Sequence, residues 1–362
     1  MKKSILYLMH VDWDWIFQRP HIFALKLEEK YDVVTAYNYR IFNRSNYKKN
    51  KLRPIKELKL FQVPKAYKFK LPRMFNTIIN QYYKKKFKKQ AFDYIWICHP
   101  KMLDFIPNDY EGILIYDCMD RHSEMTTNDY YKQLYLRNEN CILKDADIIF
   151  ASSSFLVKDL KKRSNEITNI HLVRNGFSEV SARNNLNKIK ENSYVSKIGY
   201  IGTVASWFDF EILENSLLTT TNVEYHIIGP VEDEIMIDNE AIVFQGTVPH
   251  ENLQNFVQQY DCLIMPFKVN EIILAVDPVK LYEYISYGKC IISVYYPEIE
   301  RFSDYVYFYN NQSEYDLLIS NLIKKDFKPK YSEKEQREFL EKNTWDERMS
   351  QILKLLEGYN NV

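Results

Sequence analysis

Short apolar segments alternate with amphipathic stretches along most of the chain. In the first half these segments are SILYLM (4–9), YDVVTAY (31–37), FDYIWIC (92–98), GILIYDC (112–118) and DADIIFAS (145–152). They are rich in β-branched and aromatic residues, and amphipathic stretches of helical length lie between them. This alternation is typical of βαβ units and predicts a parallel sheet flanked by helices.

The pattern breaks around residues 174–196, where an Asn-Gly turn leads into a polar stretch without a clear period. It then resumes with KIGYIG (197–202), VEYHIIG (223–229), AIVFQG (241–246), DCLIMPF (261–267) and CIISVYY (290–296). The sequence therefore predicts two α/β domains, residues 1–178 and 197–342, joined by a linker at 179–196. A final amphipathic segment, 343–362, predicts a helix with a Thr or Asn cap.

Length and composition narrow the class of protein. A chain of 362 residues suits two domains, and the net charge of +1 favours no particular partner. The cysteines at 98, 118, 141, 262 and 290 form no C-x-x-C pair, so we expect a reduced cytosolic protein without zinc or disulfides. The apolar run 4–9 is too short for a signal peptide or a membrane span.

Between residues 40 and 89 nearly every charged residue is basic, most densely in YYKKKFKKQ (82–90). A basic segment with interleaved aromatic residues binds anionic lipid or nucleic acid in some proteins and is a solvated helix face in others. Nothing else in the chain resembles a nucleic-acid module. We therefore predict either an anionic membrane surface for residues 65–89 or a plain solvated face.

In the second half, several polar residues follow predicted strands, at the edge of a parallel sheet where ligands bind. Gly202 and Thr203 end one strand, so their amides would approach a phosphate or simply form a turn. Lys268 and Asp277 lie in the loop after DCLIMPF. Lys280 and Glu283 share a helix face, where the Lys suits a diphosphate and the Glu a ribose diol. By spacing alone, an ordinary salt bridge on a helix is the better explanation of that last pair.

In the first half, two loops carry candidate chemistry. Asp12, Trp13 and Asp14 form an Asp-x-Asp pair in the first turn after a strand, a pattern that holds a divalent ion in some enzymes. Asp120 and His122 follow GILIYDC, where a carboxylate or imidazole would take a proton from an acceptor hydroxyl. The alternative is that these acidic residues cap a helix or pair with arginines. His99 is a further, weaker candidate.

Several segments together resemble a known family. DPVKLYEYISYGKCIIS (277–293), GYIGTVASWFDFEIL (199–213), GTVPHENL (246–253) and PFKVNE (266–271) are similar to the donor-binding half of GT-B glycosyltransferases of the broad family 4 group. WIFQRPHIFALKLEEKYDVV (15–34) and YDCMDRHSEM (116–125) resemble the acceptor half of teichuronic-acid-type transferases, which make bacterial surface polysaccharides. Residues 40–90 and 180–196 are not covered.

The resemblance implies a fold and an activity. The fold is two Rossmann-like domains that face each other across a cleft, with the C-terminal helix crossing back to the N-terminal domain. The implied activity is metal-independent, retaining transfer of a sugar from a nucleotide-diphosphate donor, expected to be UDP-linked, to a glycan or lipid-linked glycan. We expect such an enzyme in the cytoplasm or on the inner face of the plasma membrane.

The resemblance also implies roles for single residues. Glu283 matches the ribose-binding glutamate, Val248 the contact to the base, and Gly202 with Thr203 the turn that faces the diphosphate. Lys280 and Leu281 belong to the same donor motif. One position departs from the pattern, because Ala275 stands where many members have a second glutamate near the transferred sugar.

In such a fold the Asp-x-Asp pair needs no metal. Asp12, Trp13 and Asp14 would then line the cleft on the acceptor side, with the tryptophan either stacking on a sugar or packing inside the protein. Arg19 and His21 would face the cleft and the donor phosphates. Two alternatives remain at this level: an epimerase or hydrolase of nucleotide-sugars with the same fold, and a non-catalytic glycan-binding or scaffold subunit.

Overall fold

The protein was studied as a computed structural model, which describes residues 2–39, 50–63, 68–164, 169–178, 195–231, 237–249 and 252–360. Most of the predicted linker, residues 179–194, lies outside this part of the chain. So do residues 65–67 of the basic segment, and His250 and Glu251 of the GTVPHENL segment. The chain divides into two units, residues 1–174 with 348–362, and residues 175–347.

The first unit is built on a parallel sheet. Within its described residues the sheet has seven strands in the order β3-β2-β1-β4-β5-β6-β7. Their bounds are β1 (Ser4–Met9), β2 (Asp32–Asn38), β3 (Lys56–Leu60), β4 (Tyr94–Ile97), β5 (Ile113–Cys118), β6 (Ile148–Ala151) and β7 (Ile170–Leu172). The central strands are buried almost throughout, as expected for a parallel sheet covered on both faces.

Helices connect these strands: α1 (Arg19–Leu27), α2 (Lys70–Gln90), α3 (Asp129–Asp145) and α4 (Ser154–Arg163), with a 3₁₀ turn at Pro100–Phe105. The strand order reverses between β1 and β4, so β1, β4 and β5 lie side by side at the point where open α/β sheets usually bind ligands.

The second unit repeats this architecture. In its described part the parallel sheet has six strands in the order β10-β9-β8-β11-β12-β13, and the order reverses between β8 and β11. The strands are β8 (Ser196–Ile201), β9 (Val223–Ile228), β10 (Ile242–Gly246), β11 (Cys262–Met265), β12 (Cys290–Val294) and β13 (Tyr307–Tyr309). The helices are α5 (Phe210–Thr219), α6 (Leu253–Gln258), α7 (Val279–Ser286), α8 (Gln312–Lys324) and α9 (Glu333–Glu341).

The last helix, α10 (Trp345–Asn360), begins in the second unit and continues in the first. Thr344 caps it, because its Oγ1 accepts a hydrogen bond from the Glu347 amide at 3.1 Å. Farther along, Gln351 donates to the carbonyl of Leu172 at 2.8 Å, and the Tyr359 hydroxyl donates to Asp147 at 2.9 Å. These contacts attach the end of the chain to the sheet of the first unit.

Element boundaries differ only slightly from the sequence pattern. The sequence placed the domain boundary after residue 178, and the structure divides the units after Arg174. Pro278 is the N-cap of α7, and the helix begins at Val279. No helix in the described ranges combines the length and the apolar character needed to cross a bilayer.

Candidate functional site

Three histidines meet at the carboxyl ends of β1, β4 and β5. His10 follows β1, His99 lies just after β4, and His122 lies in the loop after β5. The ring centroids of His10 and His99 are 4.5 Å apart, those of His99 and His122 are 4.1 Å apart, and Tyr135 of α3 packs edge-on against His99 at 4.6 Å. The three adjacent strand ends thus place an imidazole cluster at the switch point of the first sheet.

Burial keeps the imidazoles of His99 and His122 uncharged. It lowers the pKa of His99 well below its ordinary value, and the neighbouring His122 and His10 lower it further. Burial also lowers the pKa of His122 to about 4, against an opposing hydrogen bond to the Cys98 backbone. His122 is 5% exposed and its Nε2 makes no hydrogen bond in the described part of the chain. At neutral pH His122 is therefore a neutral, weakly basic group.

Asp120, in the same loop, has the opposite property. Burial raises the pKa of its carboxyl from 3.8 to about 7; Arg19 opposes this rise and Asp117 adds to it. A carboxylate that titrates near neutral pH is suited to accept or donate a proton. Of the two acid–base candidates from the sequence, Asp120 has the more suitable pKa.

Arg19 and Asp117 form a buried ion pair beside this loop. The guanidinium is 4% exposed and donates to Asp117 Oδ1 at 2.7 Å and to Oδ2 at 3.0 Å. Its remaining donors reach the carbonyls of Val173 at 2.9 Å and Arg174 at 3.2 Å. The prediction that Arg19 faces donor phosphates is wrong in this structure, because its side chain joins the start of α1 to the end of β5 and the segment after β7.

The Asp12-Trp13-Asp14 turn is held by its own contacts. Asp12 Oδ1 accepts from the Asp14 amide at 3.1 Å, and Arg53 donates to Asp14 at 2.6 Å. Trp13 is fully buried, and its indole donates to the Leu52 carbonyl at 2.9 Å. Packing, rather than stacking on a sugar, is therefore the role of Trp13.

His21 is also buried rather than facing solvent. It packs 4.9 Å from Trp13 and its Nδ1 accepts from the Gln18 amide at 3.3 Å, which helps to cap α1. Burial lowers its pKa to about 4. Among the described residues, no group of three or more His, Cys, Asp or Glu side chains has an arrangement that would hold a metal ion.

In the second unit, two glycine turns lie against each other at the ends of β8 and β9. Gly202 has φ +148° and Gly229 has φ +139°, values that L side chains rarely adopt. A Cβ on Gly229 would collide with the Gly202 carbonyl, so only glycine permits this approach. A Cβ on Gly202 would lie 2.7 Å from the ammonium of Lys280 and collide with its Cε. The Lys280 side chain therefore lies directly over the Gly202 turn.

Lys280 is partly buried in this position. Burial lowers the pKa of its ammonium, while the Glu283 carboxylate opposes the change. The ammonium also lies 5.8 Å from the centre of the Tyr200 ring. A partly buried cation beside a glycine turn at a strand end is a favourable place for a phosphate group.

Other predicted donor residues surround this point or lie farther along the sheet edge. Glu283 is partly exposed on α7, one turn after Lys280, and Thr203 accepts a hydrogen bond from the Tyr200 hydroxyl through its carbonyl at 2.8 Å. Val248 is partly buried against the core, and Lys268 is exposed after β11. Gly202, Lys280 and Glu283 thus lie near one another at the end of β8, and their roles in donor binding stay a prediction.

Two predicted donor residues have structural roles instead. Asp277 is 2% exposed; it accepts from the Asn175 amide at 2.6 Å and from the Tyr282 hydroxyl at 3.1 Å, and it pairs with Arg301. Leu281 is fully buried in the core. The donor-binding predictions for these two side chains are therefore wrong, because no donor would reach them without opening the core.

Ala275 is 1% exposed, in a 3₁₀ turn at Ile273–Ala275. A glutamate in its place would need space that this turn does not offer. The sequence pattern did not indicate that His10 would lie beside His99 or that Arg53 would pair with Asp14. Their proximity depends on strand order, which no local motif encodes.

Comparisons with known proteins identify relatives of this chain in sequence and in fold. No protein-family profile matches the chain. Over 214 residues it is 24% identical to the Bacillus subtilis (strain 168) protein named "Putative teichuronic acid biosynthesis glycosyltransferase TuaH", and the match covers 54% of each protein. The chain thus matches about half the length of that relative.

Solved structures superpose over almost the full length of the chain. Sucrose-phosphate synthase from Thermosynechococcus elongatus superposes with a TM-score of 0.70 at 12% identity, covering 99% of this chain and 100% of that one. HepE from Anabaena, solved with UDP and glucose, gives a TM-score of 0.69 at 12% identity with the same coverage. The fold is GT-B. Both the fold class and the resemblance to teichuronic-acid-type glycosyltransferases expected from the sequence are confirmed.

Proposed function

We propose that this GT-B protein is a glycosyltransferase that moves a sugar from a nucleotide-diphosphate donor to a glycan or lipid-linked glycan acceptor. The donor we propose is a UDP-sugar, and the process is the synthesis of a bacterial surface polysaccharide. The observation that carries this proposal is the partly buried Lys280 side chain, which lies over the Gly202 turn at the end of β8. The named similarity to a teichuronic acid glycosyltransferase supports the process, and HepE, solved with UDP, supports the nucleotide.

The proposed donor site uses groups that suit each part of a nucleotide-sugar. The amides of the Gly202 turn and the Lys280 ammonium would receive the diphosphate, and Glu283 would accept hydrogen bonds from the ribose diol. As the bond between the anomeric carbon and the phosphate oxygen breaks, negative charge grows on the leaving diphosphate. A cation that is already partly desolvated stabilises that charge with less loss of bound water.

The proposed acceptor region is the histidine and aspartate cluster of the first unit. The acceptor hydroxyl forms a new bond to the anomeric carbon and must lose its proton. In the retaining transfer that we propose, a phosphate oxygen of the leaving group takes that proton. In an inverting transfer Asp120 would take it, since its pKa of about 7 lies near neutral pH.

We further propose that no metal ion takes part. The carboxylates of the Asp12-Trp13-Asp14 turn already serve local contacts, to the Asp14 amide and to Arg53. Lys280 would supply the positive charge that a divalent ion supplies in other transferases. We place the protein in the cytoplasm, in association with the inner face of the plasma membrane, where a lipid-linked acceptor is presented.

A ligand that binds only the folded protein raises its melting temperature, so nucleotide binding tests this function directly. The panel is UDP, GDP, ADP, CMP and dTDP, first without metal and then with Mn²⁺. The variant is Glu283→Gln, and the matched control is Glu338→Gln, an exposed glutamate on α9 of the same unit. We expect UDP alone to raise Tm without metal, and Glu283→Gln to remove most of that rise while the control keeps it.

Other results would point elsewhere. A rise only with Mn²⁺ would overturn the metal-independent donor site. No rise with any nucleotide would favour a non-catalytic glycan-binding subunit. Turnover of the bound nucleotide-sugar at the same rate with and without glycan acceptors would indicate an epimerase or hydrolase.

A further inference from the structure

Helix α2 carries an apolar stripe on its solvent side. Five large apolar side chains on it are each more than half exposed: Leu71 (63%), Met74 (53%), Phe75 (53%), Ile78 (64%) and Tyr82 (62%). Their spacing of three and four residues places them on one face of the helix. Phe69, the N-cap residue, is 67% exposed at the end of the stripe. We call Leu71, Met74, Phe75, Ile78 and Tyr82 the α2 stripe.

The opposite face of the same helix is anchored to the protein. Tyr83 and Phe87 are 6% and 1% exposed, and the Tyr83 hydroxyl donates to the Lys59 carbonyl at 3.0 Å. Asn76 accepts from the Val63 amide at 2.7 Å and donates to its carbonyl at 3.1 Å. Because these contacts fix the helix against the β3 edge, the outward direction of the α2 stripe is a property of the fold.

The charge of the helix is of one sign. Residues 70–90 contain no Asp or Glu, and the basic residues are Lys70, Arg73, Lys84, Lys85, Lys86, Lys88 and Lys89. Lys88 pairs with Asp109 and Lys84 donates to Asn108, so these two hold the end of the helix to the protein. Lys85 and Lys89 continue the row of the stripe, seven residues after Ile78 and Tyr82. In the described ranges neither forms an ion pair, so both charges remain available to an anionic surface.

We propose that the α2 stripe and the adjacent lysines Lys85 and Lys89 dock this protein on a membrane that contains anionic lipids. The helix would lie in the plane of the interface, with the apolar side chains between the acyl chains and the lysines at the headgroups. The stripe from residue 71 to 82 is about 17 Å long, too short to span a bilayer and long enough to lie along one.

The charges favour lipid over a second copy of this chain. A symmetric dimer through α2 would bring two sets of unpaired lysines together around an apolar contact, and like charges at an interface are costly. An anionic lipid surface satisfies the lysines and buries the stripe at the same time. This proposal deepens the function proposed above, since it names the surface from which a lipid-linked acceptor would be taken, but it does not depend on that function.

Co-sedimentation of the full chain with vesicles tests the proposal. The vesicles are phosphatidylcholine alone and phosphatidylcholine with 30% phosphatidylglycerol, each at low and high salt. The stripe variant is Phe75→Gln/Ile78→Gln, and its control is Leu218→Gln, an 82%-exposed leucine on α5. The charge variant is Lys85→Gln/Lys89→Gln, and its control is Lys324→Gln/Lys325→Gln at the exposed end of α8.

We expect the wild type and both controls to bind the anionic vesicles. The stripe variant should bind at least ~10-fold more weakly at either salt concentration, because each removed apolar contact is independent of ionic strength. The charge variant should bind more weakly at low salt and approach the wild type at high salt, where screening removes the lysine contribution. Circular dichroism confirms that each variant is folded.

The proposal is overturned if the wild type does not sediment with anionic vesicles, if the stripe variant binds as well as Leu218→Gln, or if neutral and anionic vesicles bind equally. It is also overturned if sedimentation velocity shows a wild-type dimer that the stripe variant dissociates. The UDP-induced rise in Tm, measured on the same variants, separates the two proposals. A stripe variant that loses vesicles but keeps the UDP response leaves the donor site intact.

Discussion

The substitution Asp120→Asn should change how stability depends on pH. In the folded protein the pKa of this carboxyl is about 7, against 3.8 for the free side chain. Between these two values the folded state holds a proton that the unfolded state has released, so the stability of the wild type falls as pH rises. Asparagine does not titrate. The variant should therefore gain stability relative to the wild type as pH rises through this window.

The size of the effect follows from the pKa difference. Between pH 5 and the folded-state pKa of about 7, a span of about two pH units, only the unfolded state has ionised this carboxyl. Over this span the unfolding free energy of the wild type falls by ~2.7 kcal/mol at full effect. Asp120 keeps partial contact with water, so we expect about half of this, ~1.4 kcal/mol. For a unit of this size, the Tm of the variant relative to that of the wild type should rise by about 3–6 °C from pH 5 to pH 8.

The assay is thermal unfolding followed by tryptophan fluorescence at pH 5 and pH 8. Trp13 and Trp96 are fully buried in the first unit and report its unfolding. The control is Asp109→Asn. The hydrogen bond from Lys88 lowers the pKa of Asp109, so the stability that this carboxylate contributes is lost only at pH values below this window. If the gap in Tm for Asp120→Asn is the same at both pH values, the carboxyl is not desolvated and Asp120 loses its basis as an acid–base group.

Two further substitutions test the framework around the site. Asp117→Asn leaves the buried Arg19 guanidinium without its anion, so we expect the unfolding free energy, measured by urea titration, to fall by about 3–5 kcal/mol. The control is Asp32→Asn, which removes an exposed ion pair and should cost less than about 1 kcal/mol. Equal losses in the two variants would contradict the role of burial. Gly202→Ala forces Lys280 away from the turn and strains a backbone with φ +148°. We therefore expect UDP binding, measured by calorimetric titration, to become at least ~10-fold weaker. An unchanged affinity would show that this turn is not part of the donor site.

Much of the architecture follows from local pattern. Alternating apolar and amphipathic segments are enough to predict parallel strands with helices between them, because each pattern buries a face of fixed period. Since parallel strands end at a common edge, the same pattern also predicts that Gly202, Lys280 and Glu283 lie near one another. The proposed donor site could therefore be located from residues close in sequence to strand ends.

The tertiary structure decided the roles that depend on neighbours distant in sequence. His10, His99 and His122 meet only because β1, β4 and β5 are adjacent in the sheet. Arg19, a candidate for phosphate binding, is bound to a carboxylate that lies 98 residues away. The sequence by itself determined which side chains occupy the strand ends. Strand order and packing determined which of these side chains stay accessible to a ligand. The reason is that burial and ion pairing depend on contacts that the local sequence does not specify.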